Sequence, residues 1–314
     1  MFFCYKNSFK EGEDMSIGVI FGKFYPIHLG HIHFIQEISS MVDKLYVVVC
    51  TDALRDEKLF LESSMNNHLS NELRINFVSD SFNYQENIEI LHLEEDGIAS
   101  YPDGWQSWSD RVKELFKSKD IYFDTVFCNE LQDVDNYYKC FNDIKNLNVL
   151  TLDLERQEFN VSATKIRNNP FQYWEYIPLR ERSFFSIKIG IFSNDKTKTR
   201  FFMEKLSNYY NSYAYDYEEF LTNNIAINSI AGATKIIFFS LTKYILEENE
   251  RTQENDEIQR KQRVFDLTIN LDEIKCDERK MYEELILKIN MRFGNKVCQV
   301  KVKMSQKMSN ISTD

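Results

Sequence analysis

Two short, almost wholly apolar runs, IGVIF (17–21) and LYVVVCT (45–51), flank a stretch with helical spacing, GHIHFIQEISSMV (30–42). Strands that are apolar on both faces belong to parallel sheets, and joining two parallel neighbours takes a crossover of a dozen or more residues. Between these runs Ile32, Ile35, Ile38 and Val42 recur at the helical period. The chain therefore opens with a βαβ unit. The alternation continues: HLSNELRINFVSDSF (68–82) predicts a helix, IEILHL (88–93) a strand, WQSWSDRVKELFKS (105–118) a helix, and TVFC (125–128) and NVLTLDL (148–154) two more strands. Repeated units of this length predict an α/β fold, a parallel sheet with helices on both faces.

A second series starts afresh at SIKIGIFS (186–193), a strand, followed by a helix near RFFMEKLSNYYN (200–211) and a strand at KIIFFSL (235–241). FDLTINL (265–271) predicts a strand, MYEELILKINMRF (281–293) a helix and KVCQVKV (296–302) a last strand, while the charge-dense block at 247–263 reads as a solvated helix or a mobile segment. The residue distribution agrees with two halves. All five histidines lie at or before His92, all four prolines at or before Pro178, and the three tryptophans between Trp105 and Trp174. At 314 residues the chain is long for one domain and comfortable for two. The expected division is an extension over 1–15, a first α/β domain over 16–184, a smaller one over 185–303 and a tail over 304–314.

The formal net charge of −11 disfavours broad nucleic-acid binding, which needs a basic face, but leaves room for a small basic pocket. Six cysteines are scattered without a CxxC pair, as expected of reduced thiols with no metal framework. The apolar runs are far short of the roughly 20 residues of a membrane span, so the expectation is a cytoplasmic protein with no membrane partner. Residues 1–14 lack the apolar core of a signal peptide and read as an extension or a misplaced start before Met15.

The connection from the first strand to the first helix is GKFYPIHLGH (22–31). In open α/β sheets ligands bind beyond the carboxyl ends of the strands, where helix N-termini point free N–H groups. His28-Leu29-Gly30-His31 has the spacing of the HxGH signature of a nucleotidyltransferase superfamily. Its imidazoles can donate hydrogen bonds to phosphate oxygens, and its glycine lets the backbone approach a nucleotide. Taken alone, it is also an ordinary strand-to-helix turn. A second pattern follows in order: Ser162-Ala163-Thr164-Lys165-Ile166-Arg167 matches SxTxxR, with Ser162 placed to cap a helix and Arg167 carrying a fork suited to phosphate.

Three longer strings, GVIFGKFYPIHLGHI, EDGIASYPDGWQSWSDRVKELF and FNVSATKIRNNPFQYWEYIP, closely resemble the NadR-type family, whose members join a nicotinamide mononucleotide (NMN) adenylyltransferase to a ribosylnicotinamide kinase. The resemblance spans about residues 16–185. It implies a Rossmann-like HxGH nucleotidyltransferase domain followed by a smaller P-loop-kinase-like α/β domain. It also implies transfer of the adenylyl group of ATP to NMN, with magnesium accompanying ATP. By that mapping His31, Lys23 and Arg167 carry the catalysis, while Gly22, Phe24, His28, Gly30, Ser162 and Thr164 surround ATP. Trp105, Trp108 and Tyr25 would receive NMN, an indole face stacking on the cationic ring. At i, i+3 the two tryptophans are also compatible with the helix's core face. The resemblance allows a homo-oligomer and assigns no metal ligand to the protein itself. Fourteen residues before the first strand are too few for the helix-turn-helix that some family members carry, so DNA repression is not expected.

The second domain departs from the family. Where a P-loop (GxxxxGK[ST]) belongs, the chain reads Phe192-Ser193-Asn194-Asp195-Lys196-Thr197-Lys198-Thr199. Lys198 and Thr199 remain, but Phe192 and Thr197 replace the two glycines, whose freedom at positive φ the phosphate cradle needs. Glu218 stands where the family resemblance places an arginine, and Ser240 where the second strand should end in a magnesium-binding aspartate. The expectation is a kinase fold without kinase activity. The alternatives are a bifunctional enzyme with residual ribosylnicotinamide kinase activity, a non-catalytic NAD or ATP sensor, and a transferase using nicotinate mononucleotide.

Overall fold

The computed structural model describes residues 15–100, 102–152, 159–222, 234–247 and 264–297. The chain divides into two units. The first holds residues up to Lys58 together with Ser70–Ala163, and the second holds Leu59–Leu69 together with residues from Thr164 onward.

In the first unit β1 (Ile17–Gly22), α1 (Leu29–Ser39) and β2 (Lys44–Thr51) form the expected βαβ unit. They are followed by α2 (Ala53–Leu61), α3 (Asn71–Phe82), β3 (Ile88–Glu94), α4 (Trp105–Ser118), β4 (Thr125–Cys128), α5 (Val134–Cys140) and β5 (Asn148–Thr151). The sheet is wholly parallel, with strand order β3-β2-β1-β4-β5. Its central registers set Gly18 beside Leu45 on one side and Thr125 on the other. Val19, Val48, Leu91, Val112, Phe116, Val126 and Phe141 form the core between this sheet and its helices. Cys50, Cys128 and Cys140 are buried free thiols. Burial pushes the Cys128 thiol up to about 11, so it behaves as a small apolar group.

The second unit is again parallel, with strands β6 (Ile187–Phe192), β7 (Tyr213–Asp216), β8 (Ile236–Ser240) and β9 (Leu267–Asn270) in the order β7-β8-β6-β9. Its helices include α6 (Ala163–Asn168), α7 (Arg182–Phe185), α8 (Lys196–Tyr210), α9 (Tyr217–Thr222) and α10 (Glu278–Val297). Three findings differ from expectation. Short elements α2, α5 and β7 were not anticipated, since four to nine residues give little periodicity to read. The last helix runs to Val297, so Lys296 and Val297 are helical rather than the start of a strand; the rest of that expected strand lies outside the described residues. So do Met1–Asp14, the charged block from 248 to 263 and the tail. The division between units falls at 163/164 rather than 184/185. Lys235 Nζ, beside β8, donates to the Phe171 carbonyl (2.9 Å), and the Ser64 N–H donates to the Arg167 carbonyl (3.0 Å) within the same unit.

Candidate active site

β1 lies between β2 and β4, and the chain leaves it toward β2 while β4 joins on the opposite side. The carboxyl end of β1 is thus the topological switch point of the sheet, where such folds bind ligands. Residues 23–28 occupy it. His28 is the N-cap of α1: its Nδ1 accepts the backbone N–H of His31 at 3.3 Å. An accepting Nδ1 leaves Nε2 as the donor nitrogen of the neutral ring. The two imidazoles stack with centroids 3.7 Å apart and planes 18° from parallel. Phe24 adopts a left-handed φ of 45° and turns its ring edge-on to His31, at 5.1 Å.

Close packing explains both glycines of the loop. A Cβ on Gly22 would come within 2.6 Å of the Phe24 ring, and one on Gly30 within 3.1 Å of His28 Nδ1 and 3.3 Å of the Phe159 Cβ. A side chain at either position would therefore displace the Phe24 ring or crowd His28 and Phe159. Lys23 is exposed. Phe24 and Tyr25, expected to touch ATP and NMN, are 4% and 1% exposed. Tyr25 lies under the guanidinium of Arg74, 5.0 Å from its ring centre, a packing role that leaves almost no face open to a ligand.

Arg74, fully buried on α3, was not singled out from the sequence. Its Nη1 donates to the Lys23 carbonyl at 3.1 Å, and its Nη2 to Asp56 Oδ2 at 2.6 Å and Asn71 Oδ1 at 2.7 Å. The arginine thus ties the backbone of the histidine loop to α2 and α3. Burial alone would raise the Asp56 carboxyl. The hydrogen bond and charge of Arg74, the Asp52 N–H and Arg55 more than offset it and hold Asp56 below the usual carboxylate range. A signal existed: the buried stripe of α3 is Arg74, Phe77, Val78 and Phe82, so a cation occupies an apolar position.

Trp105 and Trp108 are half-buried on the first turn of α4, edge-to-face at 5.4 Å. Both pack against the core, with Phe21 at 4.8 Å from Trp108 and Tyr137 at 5.4 Å from Trp105. The Trp108 indole N–H donates to Glu95 Oε1 at 2.9 Å. Each indole thus packs on the core while remaining partly exposed.

Ser162 is half-buried and immediately precedes α6. Thr164 is exposed and Arg167 is 9% exposed; Arg167 Nη2 donates to Thr164 Oγ1 at 3.0 Å. Ser162 falls in the first unit, Thr164 and Arg167 in the second.

In the second unit, the turn after β6 is closed by its own carboxylates. Asp195 caps α8, its Oδ1 accepting the N–H groups of Thr197 (2.9 Å) and Lys198 (3.3 Å). Asp272 accepts the Asn194 N–H (2.9 Å), the Asn194 side-chain amide (2.8 Å) and the Ser193 hydroxyl (2.6 Å). These bonds, the Asn194 N–H first, hold the Asp272 carboxyl below its ordinary range. Lys198 Nζ donates to the Leu271 carbonyl at 3.0 Å and stands 3.8 Å from Asp272. Among the described residues positive φ occurs at Phe24, Gly97, Asp120, Asn146 and Asn211, and nowhere in 192–199. The turn is an aspartate-capped helix start. Beside it opens a cleft of about 810 Å³, lined by Phe201, Phe202, Ile274 and Met281 with Lys198 and Lys275. Ser240 donates to Asp216 Oδ2 at 2.7 Å, across the β7–β8 register.

Residues 19–169 match the cytidylyltransferase-like family, so the histidine loop belongs to a nucleotidyltransferase domain. The trifunctional NAD biosynthesis/regulator protein NadR of Salmonella typhimurium is 36% identical over 197 residues, which is 63% of this chain and 47% of that protein. NadR of Escherichia coli is 35% identical over the same lengths. The chain is thus similar to NadR proteins and spans about half the length of these curated relatives. Two solved NadR structures share the fold. One, in complex with NR, is 23% identical with a TM-score of 0.61, covering 89% of this chain and 87% of that one. The other, with NAD and AMP-PNP, is 24% identical with a TM-score of 0.58, covering 90% and 89%. Among the described residues no helix is long and apolar enough to cross a membrane.

Proposed function

We propose that the first domain transfers the adenylyl group of ATP to NMN, giving NAD and pyrophosphate, and that the second domain is not a kinase. The observation that carries the first half is the stacked His28–His31 pair at the start of α1, at the switch point of the parallel sheet. A phosphate oxygen of NMN attacks the α-phosphorus of ATP as the bond to pyrophosphate breaks, so no protein nucleophile is required. Catalysis then consists of holding the two nucleotides in line and neutralising charge that builds on the phosphates. His31 and the exposed Lys23 supply that stabilisation. His28, capping α1, fixes the loop, and the helix start offers N–H donors to the triphosphate. Trp105 and Trp108 supply an indole face for the cationic ring of NMN. Ser162, Thr164 and Arg167 are assigned to the triphosphate from the SxTxxR pattern alone.

Magnesium enters this reading as the ATP complex, ligated by phosphate oxygens and water; among the described residues no group of three or more His, Cys, Asp or Glu is arranged to hold a metal. The kinase assignment rests on the second turn, where Asp195 and Asp272 take the N–H groups and lysine that a phosphate would need. The cleft beside Lys198 favours one second reading, a residual ribosylnicotinamide kinase. Purified protein with ATP, magnesium and either NMN or ribosylnicotinamide separates the cases: NAD from the first and no NMN from the second is expected. Absence of NAD would overturn the first assignment, and ATP-dependent NMN formation the second.

A further inference from the structure

Between α4 and the histidine loop runs an unbroken line of alternating carboxylates and guanidiniums, all within the first unit. Glu95, one residue past β3, divides its two oxygens. Oε1 accepts the Trp108 indole N–H at 2.9 Å, and Oε2 pairs with Arg55. Arg55 Nε donates to Asp56 Oδ1 at 3.1 Å, and its Nη2 to the Cys50 carbonyl at 3.2 Å. The other Asp56 oxygen receives Arg74, and Arg74 ends on the Lys23 carbonyl. Two carboxylates and two guanidiniums thus balance in charge, and planar ion pairs of this kind fix orientation as well as distance.

We propose that Glu95 is a positioning residue for adenylyl transfer: it orients the Trp108 indole and, through Arg55, Asp56 and Arg74, holds that indole in register with the loop bearing Lys23 and His31. The inference rests on the adenylyltransferase reading. Its physical basis is that in-line transfer needs both nucleotides placed within a fraction of an ångström. Core packing, with Phe21 of β1 against the Trp108 ring, brings the two elements together but is non-directional; the charge line adds orientation. Glu95 can serve both neighbours because an ionised carboxylate is acceptor-only. A glutamine of the same shape has one acceptor oxygen and an amide that confronts either the indole N–H or the guanidinium with another donor.

Two measurements test this. In NAD-forming assays, Glu95→Gln is expected to raise KM for NMN about tenfold, the scale of one hydrogen bond to a charged group, with a smaller change in KM for ATP. Trp108→Phe, which keeps an aromatic face but lacks the N–H, is expected to show a similar rise. The double variant should be no worse than the poorer single one. Unchanged KM in Glu95→Gln, or effects that multiply in the double variant, would overturn the proposal. The second measurement needs no activity: in indole-labelled protein the Trp108 N–H resonance, assigned by its loss in Trp108→Phe, is expected to shift in Glu95→Gln and also in Asp56→Asn. A native protein that makes no NAD but shows both shifts would contradict the reaction and leave the positioning line standing. A Trp108 resonance unmoved by Asp56→Asn, in protein with a native melting transition, would break the line whatever the activity.

Discussion

The two units place the same kind of feature, a turn from a central parallel strand into a helix, in opposite states. After β1 the turn is backed from inside: Arg74, buried with Asp56, grips the Lys23 carbonyl, and the imidazoles of His28 and His31 stand at the helix start. After β6 the turn is closed from within, with Asp195 on its N–H groups and Asp272 on Asn194, Ser193 and Lys198. The difference is one of charge. The side chains against the first turn are imidazoles and a buried guanidinium, with His28 taking the His31 N–H, whereas carboxylates take the N–H groups of the second.

The largest expected effect is on the support of the first turn. Arg74→Ala leaves the buried Asp56 with only Arg55 and the Asp52 N–H and empties a fully buried site, and should cost about 3–5 kcal/mol of stability by denaturant unfolding; a loss within 1 kcal/mol would show that the pair does not hold the loop. Next, His31→Ala should lower NAD formation about 10²-fold by removing a donor to the developing charge, with an unchanged melting transition. Comparable turnover in the variant would remove His31 from the catalytic set. In the second turn, Asp195→Ala removes a cap and should cost about 1 kcal/mol, without affecting NAD formation.

A pH experiment sharpens the contrast. The folded pKa of Asp56 is lowered, so its contribution to stability is complete above its unfolded value, about 3.9. That contribution is lost as pH falls through the lower folded value. Unfolding free energy should therefore drop more steeply below about pH 4 in the native protein than in Asp56→Asn. Parallel curves would mean that the carboxylate is not specially stabilised. The smallest effect is at Lys198, where replacement by Ala should leave NAD formation unchanged.

Much of this contrast was legible in the sequence. The runs at 17–21, 45–51 and 186–193 predicted the parallel strands, and the WQSW helix starts and ends at its predicted residues. HxGH and the missing glycines of 192–199 already set the two turns apart. The supporting charges were harder to see. Arg74 and Asp56 are 18 residues apart, and Arg55 and Glu95 are 40 apart; only folding brings them together, and neither pair lies in a local motif. The occupant of the second turn was hidden for the same reason, because Asp272 comes from the far end of β9. Tyr25 shows the converse: an aromatic residue inside the motif looked like a ligand contact, whereas burial gives it to Arg74.

The most direct test places both turns in one experiment. Full-length protein is given ATP labelled on the α-phosphate with NMN, and in parallel ATP labelled on the γ-phosphate with ribosylnicotinamide, each with magnesium. The account predicts label in NAD in the first reaction and none in NMN in the second. An unlabelled NAD fraction, or label transferred to ribosylnicotinamide, would contradict it.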